Sequence, residues 1–261
     1  TFMHFTRRSG LTTAALALGA SALPRILLAQ DKAAASFRFP VEGGEVVVYP
    51  VEHASMVIET PGGVIYVDPI GGAEKFSGMP APSLILITHQ HGDHYDQPTL
   101  EALPAVRLIT NPAVNEMLPD AMKERATAME NGDSAQALDM RIEAIPAYNT
   151  TPERMQYHPE GRDNGYVLTI GGSRFYIAGD TEPVPEMAAL ENIEVAFLPM
   201  NLPYTMTIEQ AAEAVATFKP KTVFPYHHRG SDVQAFAQLV EAGDSGAKVV
   251  IADWYPNGQG A

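Results

Sequence analysis

The stretch LILITHQHGDHYD, Leu84 to Asp96, constrains the fold more than any other part of the chain. Leu84 to Ile87 is apolar without alternation, the pattern of a strand covered on both faces. The strand runs directly into three histidines and two aspartates within eight positions. Residues two apart on a strand point the same way, so His89 and His91 can face one point. Gly92 permits a sharp turn, and Asp93 and His94 then come round to a second point nearby. The spacing His-x-His-x-Asp-His therefore offers ligands to two adjacent cations. Imidazole and carboxylate suit zinc foremost, and also manganese or iron.

The rest of the chain supplies layers to cover such a strand. Strands are expected at 45–49, at 55–59 and 64–67 around Pro61-Gly62-Gly63, at 106–109 and 140–145, and at 166–170 and 174–178 around Gly171-Gly172. Shorter ones follow at 195–198, 222–224 and 249–252, and the region between His94 and about Asp133 otherwise reads as helical or irregular. Two helices are well signalled. Residues 207–218 place Ile208, Ala211, Ala212, Val215 and Phe218 on one face, with Thr207 and Gln210 at capping-box spacing and Pro220 as a stop. Residues 233–242 do the same with Val233, Phe236, Ala237 and Val240, before Gly243. No linker divides the pattern. The expectation is an α/β domain over 37–261, with two mixed sheets packed together and helices outside.

Composition narrows the function classes. The absence of cysteine leaves any metal to His, Asp, Glu, Asn or backbone oxygen. The formal charge of −14 repels phosphate backbones and argues against nucleic acid as a partner. The N-terminus, with Met3 as expected initiator, reads as a twin-arginine signal over 1–29. Arg7 and Arg8 precede a short apolar run from Leu11 to Leu23, and a small-residue cleavage site follows near Ala29. That run is too short for a spanning helix, which needs about 20 residues. The expectation is an exported, periplasmic protein without a stable membrane anchor once the signal is removed. The alternative is an amphipathic helix docked on the domain.

Thr88-His89-Gln90-His91-Gly92-Asp93-His94 resembles the signature of the metallo-β-lactamase superfamily without a gap. Ala178-Gly179-Asp180-Thr181 and Pro225-Tyr226-His227-His228 resemble two later motifs of that superfamily, in the same order. The resemblance implies an αββα sandwich with a centre for one or two divalent ions at one edge. Its implied metal ligands are His89, His91, Asp93, His94, Asp180 and His227, with Asp180 bridging and Asp93 also orienting water.

One match fails. Ile145-Pro146-Ala147-Tyr148-Asn149 carries Asn149 where the superfamily usually supplies a histidine. The ion on His89 and His91 is then expected to be looser, with the firmer one on Asp93, His94, Asp180 and His227. His158 and His53 are candidates to approach the gap. His158 stands open between ligand and solvent-exposed loop residue, and His53 is preferred as an outer contact. Tyr148, Asn149, His158, Arg162, Asn164, Tyr204, His228 and Arg229 are candidates to touch the substrate or to support the ligands, and the two arginines suit an anionic substrate.

The chemistry expected is hydrolysis of an ester, lactone, amide or phosphodiester of a small molecule by metal-activated water. An iron-dependent redox enzyme or oxygenase of the same fold, and a non-catalytic exported metal-binding protein, are the alternatives.

Overall fold

In the computed structural model, which describes residues 35–256 with Thr1, Phe2 and Gly258, two sheets of seven strands each lie face to face. Apart from Thr1 and Phe2, the segment read as an export signal lies outside the described residues. The first sheet follows chain order: β1 (Phe37–Val41), β2 (Gly44–Glu52), β3 (Ser55–Thr60), β4 (Gly63–Val67), β5 (Leu84–Leu86), β6 (Arg107–Thr110) and β7 (Ala126–Ala128). β1 to β4 form an antiparallel meander, and β4 to β7 run parallel. The second sheet repeats this scheme with β8 (Ser134–Ala137), β9 (Met140–Ala147), β10 (Asp163–Ile170), β11 (Ser173–Ile177), β12 (Ile193–Pro199), β13 (Thr222–Tyr226) and β14 (Lys248–Val249). β8 to β11 are antiparallel and β11 to β14 parallel.

Parallel neighbours need crossovers, and the helices are those crossovers. α1 (Gln97–Ala102) joins β5 to β6, and α2 (Pro112–Met117) with α3 (Asp120–Lys123) joins β6 to β7. α4 (Pro185–Ala188), α5 (Ile208–Phe218) and α6 (Val233–Ala242) do the same between β11 and β14. The capping box of α5 forms as its spacing predicts, and Lys219 ends that helix in a left-handed conformation before Pro220. Asp232 caps α6 through its side chain.

Period-two alternation sorts side chains into three cores. Ile65, Val67, Leu84, Leu86, Phe175, Ile177, Val195 and Phe197 fill the space between the sheets. Their neighbours Tyr66 and Ile85 pack outward under Leu100 and Val114. Tyr176, Ala196 and Leu198 pack outward under Val215, Phe218 and Phe236. Strands covered on both faces read as continuous apolar runs, and the αββα expectation holds. Three strands escaped the sequence reading: β1, a short edge strand with Pro40 in it, and two more. β7 and the outermost β8 are built on Ala126-Thr127-Ala128 and Ser134-Ala135-Gln136-Ala137, which offer little bulk or β-branching to signal a strand.

Candidate metal centre

Most of the candidate ligands lie in the loops that follow strand ends, the place where α/β sheets expose backbone turns, and His158 comes from the connection between β9 and β10. His89, His91, Asp93 and His94 follow β5, Asp180 follows β11 and His227 follows β13, while His53 sits in the turn from β2 to β3. Two sheets must approach closely for these loops to meet. Gly179 allows it: at φ 66°, a Cβ there would lie 2.8 Å from the Asn164 carbonyl oxygen and 3.4 Å from Thr88 Cβ. His53, Asp68 and His227 hold φ of 55°, 43° and 44°. Left-handed backbone is costly for such residues and clusters at functional sites.

Two groups of four converge. His89, His91, His158 and Asp180 offer ligand atoms within 4.8 Å of one another, and so do His53, Asp93, His94 and His227. The Asp180 carboxylate lies between them. Its Oδ2 is 3.3 Å from His158 Nε2, 3.3 Å from His227 Nε2 and 3.8 Å from His89 Nε2, and its Oδ1 is 3.2 Å from His94 Nε2.

Outer contacts fix which nitrogen each ring presents. Asp68 accepts hydrogen bonds from the Thr88 amide (2.8 Å) and hydroxyl (2.7 Å), and lies 2.7 Å from His94 Nδ1. The Thr88 hydroxyl, having donated to Asp68, accepts from His89 Nδ1 at 3.0 Å. Asp163 lies 2.9 Å from His158 Nδ1. In all three rings Nδ1 carries the proton and Nε2 is presented inward, the arrangement that orients metal-binding imidazoles.

His53 differs. The Tyr255 hydroxyl accepts from the His228 amide (3.0 Å), so its own proton goes to His53 Nδ1 at 2.8 Å. His53 Nε2 is then the donor to Asp93 Oδ2 at 3.1 Å. Burial pulls the His53 pKa down to about 4, which keeps the ring neutral. His53 thus stands as a hydrogen-bond donor to Asp93, and the Asp180 carboxylate reaches the same group beside His94 and His227.

The residues fit a cation. His94 Nε2, His158 Nε2, Asp180 Oδ1 and both His227 ring nitrogens are buried without hydrogen-bond partners among the described residues. Each such atom costs about 1–3 kcal/mol unless something satisfies it. Burial works against protonated His94, but Asp180 and Asp68 hold its pKa well above the ordinary imidazole value. Burial likewise opposes the charge on His227, and Asp180 and Asp93 push its pKa up to about 9. Burial disfavours ionised Asp180 too, but His227 and His94 keep it well below the usual carboxylate range. Protons thus stand where cations fit, and a metal would displace them.

The structure brings the six residues expected as ligands together, and it corrects other expectations. His158 is neither exposed nor distant: it is buried and lies with His89, His91 and Asp180, so the first group has four candidate ligands without Asn149. Asn149 instead ties the loop that carries His158, its amide nitrogen donating to the carbonyls of Tyr204 (2.7 Å) and Arg154 (3.1 Å). Tyr148 points away to donate to Glu186, Arg162 is spent on Asp163 and the Tyr157 carbonyl, and Asn164 donates to the Met129 carbonyl. His228 belongs to neither group and packs edge-on against Tyr255. Beside the centre lies a cavity of about 550 Å³, with Tyr157, Asn201, Tyr204 and Arg229 facing the ligands. Sequence reading missed Asp68, Asp163 and Tyr255. Asp68-Pro69 at the end of β4 was the one available signal.

The chain matches the Beta-lactamase superfamily domain over residues 35–227. A UPF0173 metal-dependent hydrolase of Ligilactobacillus salivarius is 32% identical over 184 residues, 67% of this chain and 81% of its own length. Another from Pyrococcus furiosus is 29% identical over 214 residues, covering 76% and 92%. Among solved structures, a protein of Parabacteroides distasonis assigned as a metal-dependent hydrolase aligns with TM-score 0.78 at 39% identity, over 85% of this chain and 100% of that one. A metallo hydrolase of Ignicoccus hospitalis aligns with TM-score 0.66 at 26% identity, over 79% and 94%. Fold, ligand set and relatives agree: the chain belongs to the metallo-β-lactamase superfamily and, within it, to the UPF0173 family of metal-dependent hydrolases.

Proposed function

We propose that the protein hydrolyses an ester, lactone, amide or phosphodiester of a small molecule with two divalent ions, zinc foremost. The observation that carries this reading is the shared Asp180, which lies within 3.3 Å of imidazoles from both four-residue groups. His89, His91, His158 and Asp180 would hold one ion, and Asp93, His94, His227 and Asp180 the other. Such ions lower the pKa of coordinated water from about 16 to near 7 and polarise a substrate oxygen.

The chain's own residues supply orientation. The Asp93 side chain is 46% exposed, whereas those of His53, Asp180 and His227 are nearly enclosed. Asp93 therefore faces the volume where water and substrate meet. Its Oδ2 is engaged by His53 (3.1 Å) and His227 (3.4 Å), and its Oδ1 takes no hydrogen bond from the described residues. That free oxygen can accept from a water and aim it. Burial opposes ionised Asp93, but the nearby His227 and the hydrogen bond from His53 hold its pKa below the usual range, so it orients and does not carry the proton away.

Arg229 lines the same cavity, makes no ion pair with the described residues and can receive the negative charge of a carboxylate or phosphate on the substrate. Tyr157 and Tyr204, edge to face at 5.0 Å, form an aromatic wall beside it.

Metal identity and stoichiometry on protein purified without added metal, followed by an ester, lactone, amide and phosphodiester panel on loaded and chelated protein, test the reading. Two ions per chain and chelator-sensitive turnover are expected. Loaded protein inert to the whole panel, or turnover indifferent to chelation, refutes it. Arg7-Arg8 supports periplasmic export of the folded chain, and undiminished export of an Arg7→Lys/Arg8→Lys variant would count against that route.

A further inference from the structure

Glu182 is a carboxylate with no solvent exposure, two residues beyond Asp180, and it belongs to neither ligand group. Its Oε2 accepts from the backbone amides of Thr150 (2.7 Å) and Thr151 (2.6 Å) and from the Thr150 hydroxyl (3.4 Å). Its Oε1 accepts from the Thr151 hydroxyl (2.7 Å), Arg154 Nη1 (2.7 Å) and Gln210 Nε2 (3.1 Å). A buried charge demands such partners. Four of its five partner groups outside α5 come from Thr150 and Thr151, at the start of the loop that ends in His158.

That loop needs holding. Between β9 and β10 the chain makes only turns and bends from 151 to 158, and Glu153, Met155 and Gln156 reach solvent. His158 nevertheless presents Nε2 to Asp180 at 3.3 Å. Its far end is fixed by Asp163 at Nδ1 and by the Asn149 amide donating to the His158 carbonyl at 2.8 Å. Its near end is fixed by Glu182, and Arg154 extends the clamp to the Gln210 side chain (3.1 Å) and the Thr205 carbonyl (3.3 Å).

We propose that Glu182 is a positioning residue for the metal centre: by clamping Thr150, Thr151 and Arg154 it places the loop-borne His158 as the fourth ligand of the group containing His89 and His91. This chain thereby sets a histidine on a fastened loop where Asn149 occupies the strand end. The proposal rests on reading the two groups as metal sites.

The test is Zn²⁺ stoichiometry and affinity by titration of the full chain, with Co²⁺ spectra to report each site, on wild type, Glu182→Gln and His158→Ala. Glu182→Gln keeps the volume but turns an amide towards donors. It is expected to bind one Zn²⁺ normally and to lose at least about tenfold in affinity for the other, as supporting contacts to metal ligands typically do. Its Co²⁺ spectrum should match that of His158→Ala, which a general loss of packing would not produce. Should Glu182→Gln fail to fold, Arg154→Gln, on a half-buried side chain, is expected to shift the same Zn²⁺ site in the same direction. Two Zn²⁺ bound at wild-type affinity in the variant, or equal weakening of both, overturns the proposal while leaving the hydrolase reading intact. A wild-type chain that binds no Zn²⁺ or Co²⁺ overturns both.

Discussion

The two ligand groups use the same kinds of side chain but are held differently. In one group, His227 leaves the end of β13 directly, is pinned by its amide to the His53 carbonyl at 3.0 Å and carries left-handed backbone, and His94 follows β5 through the turn at Gly92 with its Nδ1 held 2.7 Å from Asp68. The other group takes one of its four members, His158, from the middle of a connection rather than from a strand end. Strand-end ligands inherit their positions from the sheet. A loop ligand has to be fastened by contacts of its own, and Asp163, Asn149 and Glu182 make those contacts. Equal ligand counts therefore conceal unequal dependence on remote residues.

The largest effect that bears on this contrast is expected for Asp180→Asn, which weakens the one carboxylate common to both groups. Zn²⁺ content should fall at both sites and hydrolysis should drop to background, as measured by elemental analysis beside turnover. A variant that kept one full site would show the groups to be independent. Next comes the paired comparison of His158→Ala with His227→Ala. Each should lose about one equivalent of metal, and the two should retain different Co²⁺ spectra. Asp68→Asn follows. It loosens His94 through its Nδ1 contact and should weaken Zn²⁺ binding by about 10–100-fold, with His158 undisturbed. The smallest is His53→Gln, which should leave both Zn²⁺ ions bound while lowering kcat more than KM rises, because Asp93 loses the donor that aims it. A lost metal ion would make His53 a ligand instead.

Acidity offers a further way to sharpen the contrast in the metal-free protein. The His227 pKa is raised from an unfolded value near 6.5 to about 9. Its contribution to stability is therefore complete below pH 6.5 and lost as pH rises through 9. The pKa of His53, whose ring centroid lies 3.7 Å from that of His227, is depressed to about 4, so its contribution is complete above pH 6.5 and lost as pH falls through 4. Thermal denaturation with chelator present should show stability falling towards both ends. Zn²⁺ uptake should release more protons at pH 7.5 than at pH 9.5, readable by calorimetry in buffers of different ionisation enthalpy.

How much could be read beforehand follows from the range of each interaction. The His89 to His94 cluster was legible because its geometry is local: a strand, a glycine and fixed spacing. The layers were legible because Leu84 to Ile87 and Val195 to Leu198 carry no polar face. Asp180 and His227 were legible through motif resemblance and position at strand ends. His158 was legible only as a candidate for the gap, open between ligand and exposed loop residue, because its placement depends on Asp163 and on Glu182, neither of which has any spacing rule relative to it. Arg162 and Tyr148 looked like pocket residues by proximity in sequence, yet Asp163 and Glu186 claim their polar atoms. Edge strands of alanine, serine and threonine gave no pattern to read.

The duplicated scheme of meander followed by parallel strands has one more implication. The first sheet's half contributes His53, His89, His91, Asp93 and His94, and the second contributes His158, Asp180 and His227, so each proposed ion would draw ligands from both. A captured cation would then act as a rivet joining the two halves, stabilising only the docked state in proportion to its free concentration. Resistance to proteolysis should rise with zinc supply, and the connection from β7 to β8 should be where a starved chain first opens.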